Sequence, residues 1–396
     1  MGTASIADRI AWAVDGLAVE LPTWGFVNTG TRFRVFPQAG VPRTVHEKLD
    51  DTGTVARYTG VARTVALHIP WDRTDDWPAL AASAKERGLA VGAINSNTFQ
   101  DAEYMLGSLC HPSAAVRARA VAAIVECCEI AGATGSRFVK VWLGDGTNYP
   151  GQDGLRARRR RLIDGLRAVY EALPGTARLL LEYKLFEPSF YSMDVADWGQ
   201  AITVCQHLGE RAVVCVDTGH HAMAVNIEQI VAALLAEGRL GGFDLNDKKY
   251  GDDDLMVGSI DPYQLFRICH EMIDALRDAD DPIAQRTARD TVWMLDQCHN
   301  IEPKLPAIIR SVMNLQEAVA KALLVDRDAL LAAQAAGDVL DANALIADAF
   351  ATDVRPALRE LRTARGLPTD PYRAYLASGE EERRAADRVG GTPASW

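Results

Sequence analysis

Residues 241–255 read GGFDLNDKKYGDDDL: a short apolar strand that breaks at once into a loop crowded with carboxylates. Asp244, Asn246, Asp247, Asp252, Asp253 and Asp254 fall within eleven positions, a density of hard oxygen donors that suits a divalent cation. An isolated acidic run is more often a solvated loop, and the EF-hand spacing with its closing Glu is missing. The balance tips toward a metal site because the rest of the chain supplies matching groups at the ends of neighbouring strands.

Outward from this stretch, apolar segments of strand length recur at residues 17–21, 64–68, 90–94, 138–143, 179–183, 213–217, 243–245 and 292–296. Helical periodicity separates most of them, at 77–87, 114–130, 155–170, 195–208, 227–237, 262–276 and 308–324. Eight short strands alternating with amphipathic helices predict an α/β chain folded as a (β/α)8 TIM barrel. A doubly wound open sheet is the second choice, but no G-x-G-x-x-G or phosphate-loop motif supports it. The barrel is expected to span residues 1–325. Residues 326–396 read as a C-terminal α-helical extension with a polar tail, either a layer on one barrel side or an arm making oligomer contacts.

Composition narrows the class. At 396 residues, 48% hydrophobic and 24% charged, the chain is a soluble globular protein with a full core. A net charge of −11 argues against a nucleic-acid or anionic-membrane partner. The basic run RRRR at 158–161 reads as a solvated outer helix face. Seven cysteines show no disulfide framework and no C-x-x-C spacing, so they read as buried thiols of a reducing compartment. There is no secretion-signal pattern and no run of 18 apolar residues, and the expected location is cytoplasmic.

In a barrel of this kind the reacting groups stand at the C-terminal ends of several strands. Those ends carry Glu182, Asp217, Asp244 and Asp296 on four consecutive strands. His220 follows Asp217 in DTGHH, close enough for both to face one ion, whereas His221 reads as structural. His68 and His299 also lie near strand ends. Two carboxylates about 4 Å apart repel by roughly 4 kcal/mol at an effective dielectric near 20. Glu182, Asp217, Asp244, Asp252, Asp254 and Asp296 therefore need protons or, more simply, two divalent cations. Lys184, two residues past Glu182, shares its side of an extended chain and can offer charge or a proton to a substrate oxygen.

The motifs LHIPWD (67–72), INSNTF (94–99), VWLGDGTNYPGQ (141–152), LEYKLFEPSFYS (181–192), VDTGHH (216–221), NDKKYGDDDL (246–255) and MLDQCHN (294–300) closely resemble the L-rhamnose isomerases of the xylose-isomerase-like barrel group. That resemblance implies a metal-dependent aldose–ketose isomerase, usually a homotetramer, using Mn, Mg or Co. Carried across, Glu182, Asp217, Asp244 and Asp296 would hold one ion, and His220, Asp252 and Asp254 the other. Trp24, His68, Trp142 and Lys184 would line the sugar pocket, and Phe33 would close a neighbouring subunit's site. Asp244 stands where those enzymes carry a ligand His, Tyr183 replaces a His, and the loop WGFVNTGTRF is less glycine-rich than theirs.

The expected chemistry is hydrogen transfer between C1 and C2 of a free sugar, an L-rhamnose-like deoxyhexose or related aldose. Lys184 would steady charge on the oxygen, Glu182 and Asp296 would act beside it, and Trp24, Trp71 and Trp142 would supply stacking surfaces. A ketose 3-epimerase or another sugar-active metalloenzyme on the same barrel remains open, as does a non-catalytic sugar-binding barrel.

Overall fold

The computed structural model describes residues 5–31, 33–186, 190–298 and 301–389. Its core is a closed barrel of eight parallel strands: β1 Val19–Pro22, β2 Ala62–Ile69, β3 Ala90–Ser96, β4 Phe138–Val141, β5 Arg178–Glu182, β6 Ala212–Asp217, β7 Leu240–Leu245 and β8 Val292–Leu295. Each strand pairs with its sequence neighbours, and β1 closes the ring by pairing with both β2 and β8. All eight expected strands are present, within a few residues of the expected bounds.

Strand alternation explains how the site is built. Phe138, Leu180, Val213, Cys215 and Met294 belong to a small buried cluster together with Trp24, Ala66 and Ala93. The next residue of the same parity on those strands is a functional group: Lys140 after Phe138, Glu182 after Leu180, Asp217 after Cys215, Asp296 after Met294. The interior plug of each strand thus aims the polar side chain above it toward the mouth. On β7 the plug is missing by necessity. A Cβ on Gly241 would lie 2.3 Å from Val213 Cγ2, and one on Gly242 would lie 3.2 Å from Leu180 Cδ2.

The helices start where the sequence offers caps. Asp197, Asn226 and Asp261 accept hydrogen bonds from the backbone N–H groups of Gln200, Gln229 and Gln264, each worth about 1 kcal/mol. One helix was not legible in the periodicity, Val45–Thr59. Its buried face carries Lys48, whose ammonium lies 2.5 Å from the buried Asp72, and the fully buried Asp51. A second, Pro282–Asp290, precedes β8.

Beyond Asp326 come the helices Arg327–Ala336, Val339–Ala351, Arg355–Ala364, Pro371–Ala377 and Glu380–Asp387. They fold back onto the barrel side. Arg388 places two donors 2.8 Å from the Asp51 carboxylate, and Arg384 adds a third at 3.1 Å. A buried acid of this kind must be paired, and here the pairing ties the chain end to the Val45–Thr59 helix.

The basic run at 158–161 is not uniformly solvated. Arg158 is among the largest fully buried side chains, and its guanidinium binds Asp194 at 2.6 Å and Asp153 at 3.1 Å. Its main partner, Asp194, lies 36 residues on, so local composition could not reveal it.

Candidate active site

The mouth of the barrel opens into a cavity of about 820 Å³. Of the expected residues, Trp24, Phe33, His68, Trp71, Trp142, Glu182, Lys184, His220, Asp252, Asp254 and Asp296 line it. Asp217 and Asp244 lie just below, brought side by side by the β6–β7 register that pairs them. His299 falls outside the described residues.

The acidic loop at 246–255 divides its labour. Asp247 exchanges two backbone bonds with Leu255 and accepts from Ile260 N at 2.6 Å, which pins the loop into a closed turn. Asp253 accepts from Lys249 N at 2.6 Å and serves that turn. Asn246 donates to Asp217 Oδ1 at 3.0 Å. Asp252, Asp253 and Asp254 all line the mouth above Asp244, and Asp254 sits there in the left-handed region, at φ 46°.

Glu182, Asp217 and His220 each offer an atom within 4.8 Å of the others, and so do Glu182, Asp217, Asp244 and Asp296. At His220 the geometry is that of a ligand held ready. Its Nδ1 donates to the Tyr183 carbonyl at 2.9 Å, which leaves Nε2 facing Asp252 Oδ1 at 3.4 Å and Asp217 Oδ2 at 3.7 Å. Asp217 Oδ1 is occupied by Gly219 N at 2.6 Å and by Asn246. Asp217 Oδ2, by contrast, is buried with no hydrogen-bond partner among the described residues. An orphaned carboxylate oxygen beside an imidazole nitrogen fits a divalent ion. Gly219 is required here, since a Cβ would come within 2.9 Å of Asp252 Oδ1.

The Glu182–Asp244 side differs, because a group absent from the sequence reading fills it. Lys140 is buried, with its ammonium 3.0 Å from Glu182 Oε2 and in contact with Asp244 Oδ2. Burial pulls its pKa down, but Glu182 and the acids around it outweigh that, and it is held above the ordinary lysine value. The signal was available: a lone lysine in FVKVW, at the inward parity shared by Phe138 and Trp142.

Burial raises Asp217, Asp254 and Asp296 above the usual carboxylate range. Asp252 goes the other way: burial raises it, but His220 and Lys184 prevail and hold it low. Lys184 Nζ is 2.7 Å from Asp252 Oδ2 and 5.2 Å from the Trp142 ring centroid. Trp24 Nε1 donates to Asp296 Oδ1 at 2.7 Å. His68 stacks on Trp71 with ring centroids 3.8 Å apart, and burial, then Lys140 and Lys48, lower its pKa to about 3, so it is neutral. Tyr183 and His221 bond to each other at 2.6 Å, a structural pair as expected for His221.

For His220, burial lowers the pKa, but Asp217 and Asp252 override it and raise it to about 9 without a metal. Ligation needs the neutral ring, so protons compete with the ion. Its dissociation constant should fall at least tenfold per pH unit between pH 6 and 8, more steeply below about 7, where Asp217 must also lose its proton, and level off above 9. Calorimetric titration of the metal-free protein with Mn at pH 6, 7 and 8 measures this, and a flat series would contradict it.

The model of the xylose isomerase-like TIM barrel family matches residues 54–275. A probable sugar isomerase of Rhizobium meliloti (strain 1021) is 43% identical over 386 residues, 96% of this chain and 88% of that protein. A second probable sugar isomerase, from Mesorhizobium japonicum, matches to the same identity and extent. A solved L-ribulose 3-epimerase shares the fold at a TM-score of 0.55, with 16% identity over 78% of this chain and 98% of its own.

Proposed function

We propose, on the premise that this chain belongs to the xylose isomerase-like TIM barrel family, that it interconverts a free aldose, an L-rhamnose-like deoxyhexose or a related sugar, and the matching ketose. The observation that carries this reading is the partnerless Asp217 Oδ2 beside His220 Nε2 at the floor of an aromatic-walled pocket. Asp217, His220, Asp252, Asp254 and Asp296 would hold a divalent cation, Mn or Mg and in their absence Co, with Glu182 at its edge. When bound, such an ion supplies Lewis-acid polarisation of the sugar's oxygens.

The chain's own groups do the rest. Lys184, fixed between Asp252 and the Trp142 face, donates to the sugar oxygen on which charge develops. Asp296, oriented by Trp24, takes the hydroxyl proton from O2 and returns it to O1 while hydrogen passes from C2 to C1. Neutral His68, locked on Trp71, offers a hydrogen bond to the ring oxygens without adding charge. Trp24, Trp71, Phe99 and Trp142 cover the apolar faces of the sugar and keep water out.

Assembly into a homotetramer fits the rim. Phe33 is 83% exposed although it lines the pocket, and Tyr191 is equally exposed. Val339 and Leu340 open a C-terminal helix that exposes both. Residues 326–396 would add contacts there. No helix among the described residues is long and apolar enough to cross a membrane. The free thiols, all but one of them buried, suit the cytoplasm.

The deciding experiment incubates Mn-loaded protein in D2O with a panel of deoxyhexoses, pentoses and tetroses, followed by NMR. Aldose–ketose exchange for at least one sugar is the expected result. Deuterium entering only at C3 of a ketose would assign an epimerase instead, and no exchange with any sugar would leave a binding barrel.

A further inference from the structure

The two halves of the acidic mouth are not equivalent. The His220 side keeps an unpartnered buried oxygen, Asp217 Oδ2. The Asp244 side has none among the described residues, because Lys140 already stands there. We propose that the Lys140 ammonium is a built-in cation that takes the place of a second metal ion, so that each subunit binds one divalent cation, on the His220 side of the mouth, and not two.

This rests on the metal-dependent reading above. The candidate ligand oxygens of Glu182, Asp217, Asp244 and Asp296 lie within 4.8 Å of one another, which leaves one central position for a cation. An ammonium 3.0 Å from Glu182 Oε2 and in contact with Asp244 Oδ2 stands at that position. A divalent ion bonds oxygen at roughly 2.0–2.6 Å, so it could reach those same oxygens only by expelling Lys140. A displaced ammonium could move only into the mouth cavity that Lys140 lines, where it would stand against the bound ion. Lys140 is 3% exposed, and the interior below it is closed by Phe138, Leu180 and Cys215. Three N–H donors on one ammonium also match the crowd of acceptors around it better than a second hard ion beside a fixed positive charge would.

The two features that set this chain apart then have one cause. Asp244 is an acid because its partner is a lysine, and Lys140 sits inside a barrel because its partners are acids. The ion nearest the pocket, on the His220 side, is the one retained.

Metal analysis by inductively coupled plasma mass spectrometry on Mn-loaded, gel-filtered protein tests this. Wild type should carry one Mn per subunit, with the electron spin resonance signal of an isolated ion. K140M should carry two, because removing the ammonium frees the Glu182 and Asp244 carboxylates beside Asp217 and Asp296. Two ions in wild type, or one ion in K140M, overturns the proposal while leaving the isomerase reading standing. No Mn in wild type overturns both. If K140M does not fold, Asp244→Asn decides. A count of one with a dissociation constant within threefold of wild type supports the lysine pairing, and a tenfold or greater weakening assigns Asp244 to the metal.

Discussion

Asp217→Asn should strip the protein of its firmly held divalent ion and lower turnover of its aldose by about 10³-fold. The substitution is close to isosteric. The amide oxygen can keep the bonds from Gly219 and Asn246 that Oδ1 now accepts. In place of Oδ2 it presents an NH2, a donor, where the buried oxygen now has no partner. A cation has no use for that donor. The fold should be untouched, because no charge is stranded and no volume changes. Metal content, turnover and far-ultraviolet circular dichroism measured together give the answer. A variant that keeps both its Mn and a tenth of wild-type turnover would show that Asp217 is not the anchor.

Lys184→Met should cut kcat by roughly 10²-fold while the Mn content stays at the wild-type level. The ammonium bonds Asp252 and leans over Trp142, and it lines the cavity where a substrate oxygen would lie. Methionine keeps the packing of the stem and loses only the charge. Arginine should rescue poorly, because a planar fork cannot occupy the place of a compact ammonium against the indole. A kcat within threefold of wild type would remove Lys184 from the reaction. A fall in Mn content would recast it as a support for Asp252.

The barrel was legible because its strands are apolar runs, and five of them announce themselves a second time by His68, Glu182, Asp217, Asp244 or Asp296 at or near their ends. The periodicity between them did the same for the helices over 198–208, 227–236 and 262–277. What stayed hidden is what depends on distant pairing. The helix Val45–Thr59 buries Lys48 and Asp51, and its polar inner face blurs the 3.6-residue pattern. Arg158 looks solvated until Asp194 is folded against it. Three consecutive aspartates, 252 to 254, cannot be told apart by composition. All three line the mouth, but only in the turn closed by Asp247 and Leu255 does it emerge that Asp252 meets His220 and Lys184 while Asp253 binds the loop's own backbone. Lys140 was within reach, since its parity in β4 is that of Phe138 and Trp142, but a single lysine in a strand carries no weight until the acids it meets are known.

The bond from Trp24 to Asp296 joins the turn after the first strand of the barrel to the residue that follows the last, and it has a consequence for how the protein is made. The acids of the mouth leave the ribosome over the 114 residues from Glu182 to Asp296, roughly 6–23 s of synthesis at about 5–20 residues per second. Until the last of them has emerged, Trp24 has no acceptor and the ring has no closing strand. No nascent fragment can therefore hold a complete mouth. Lys140 is synthesised before every one of those acids, so the chain carries the counter-charge for Glu182 and Asp244 from the moment each appears.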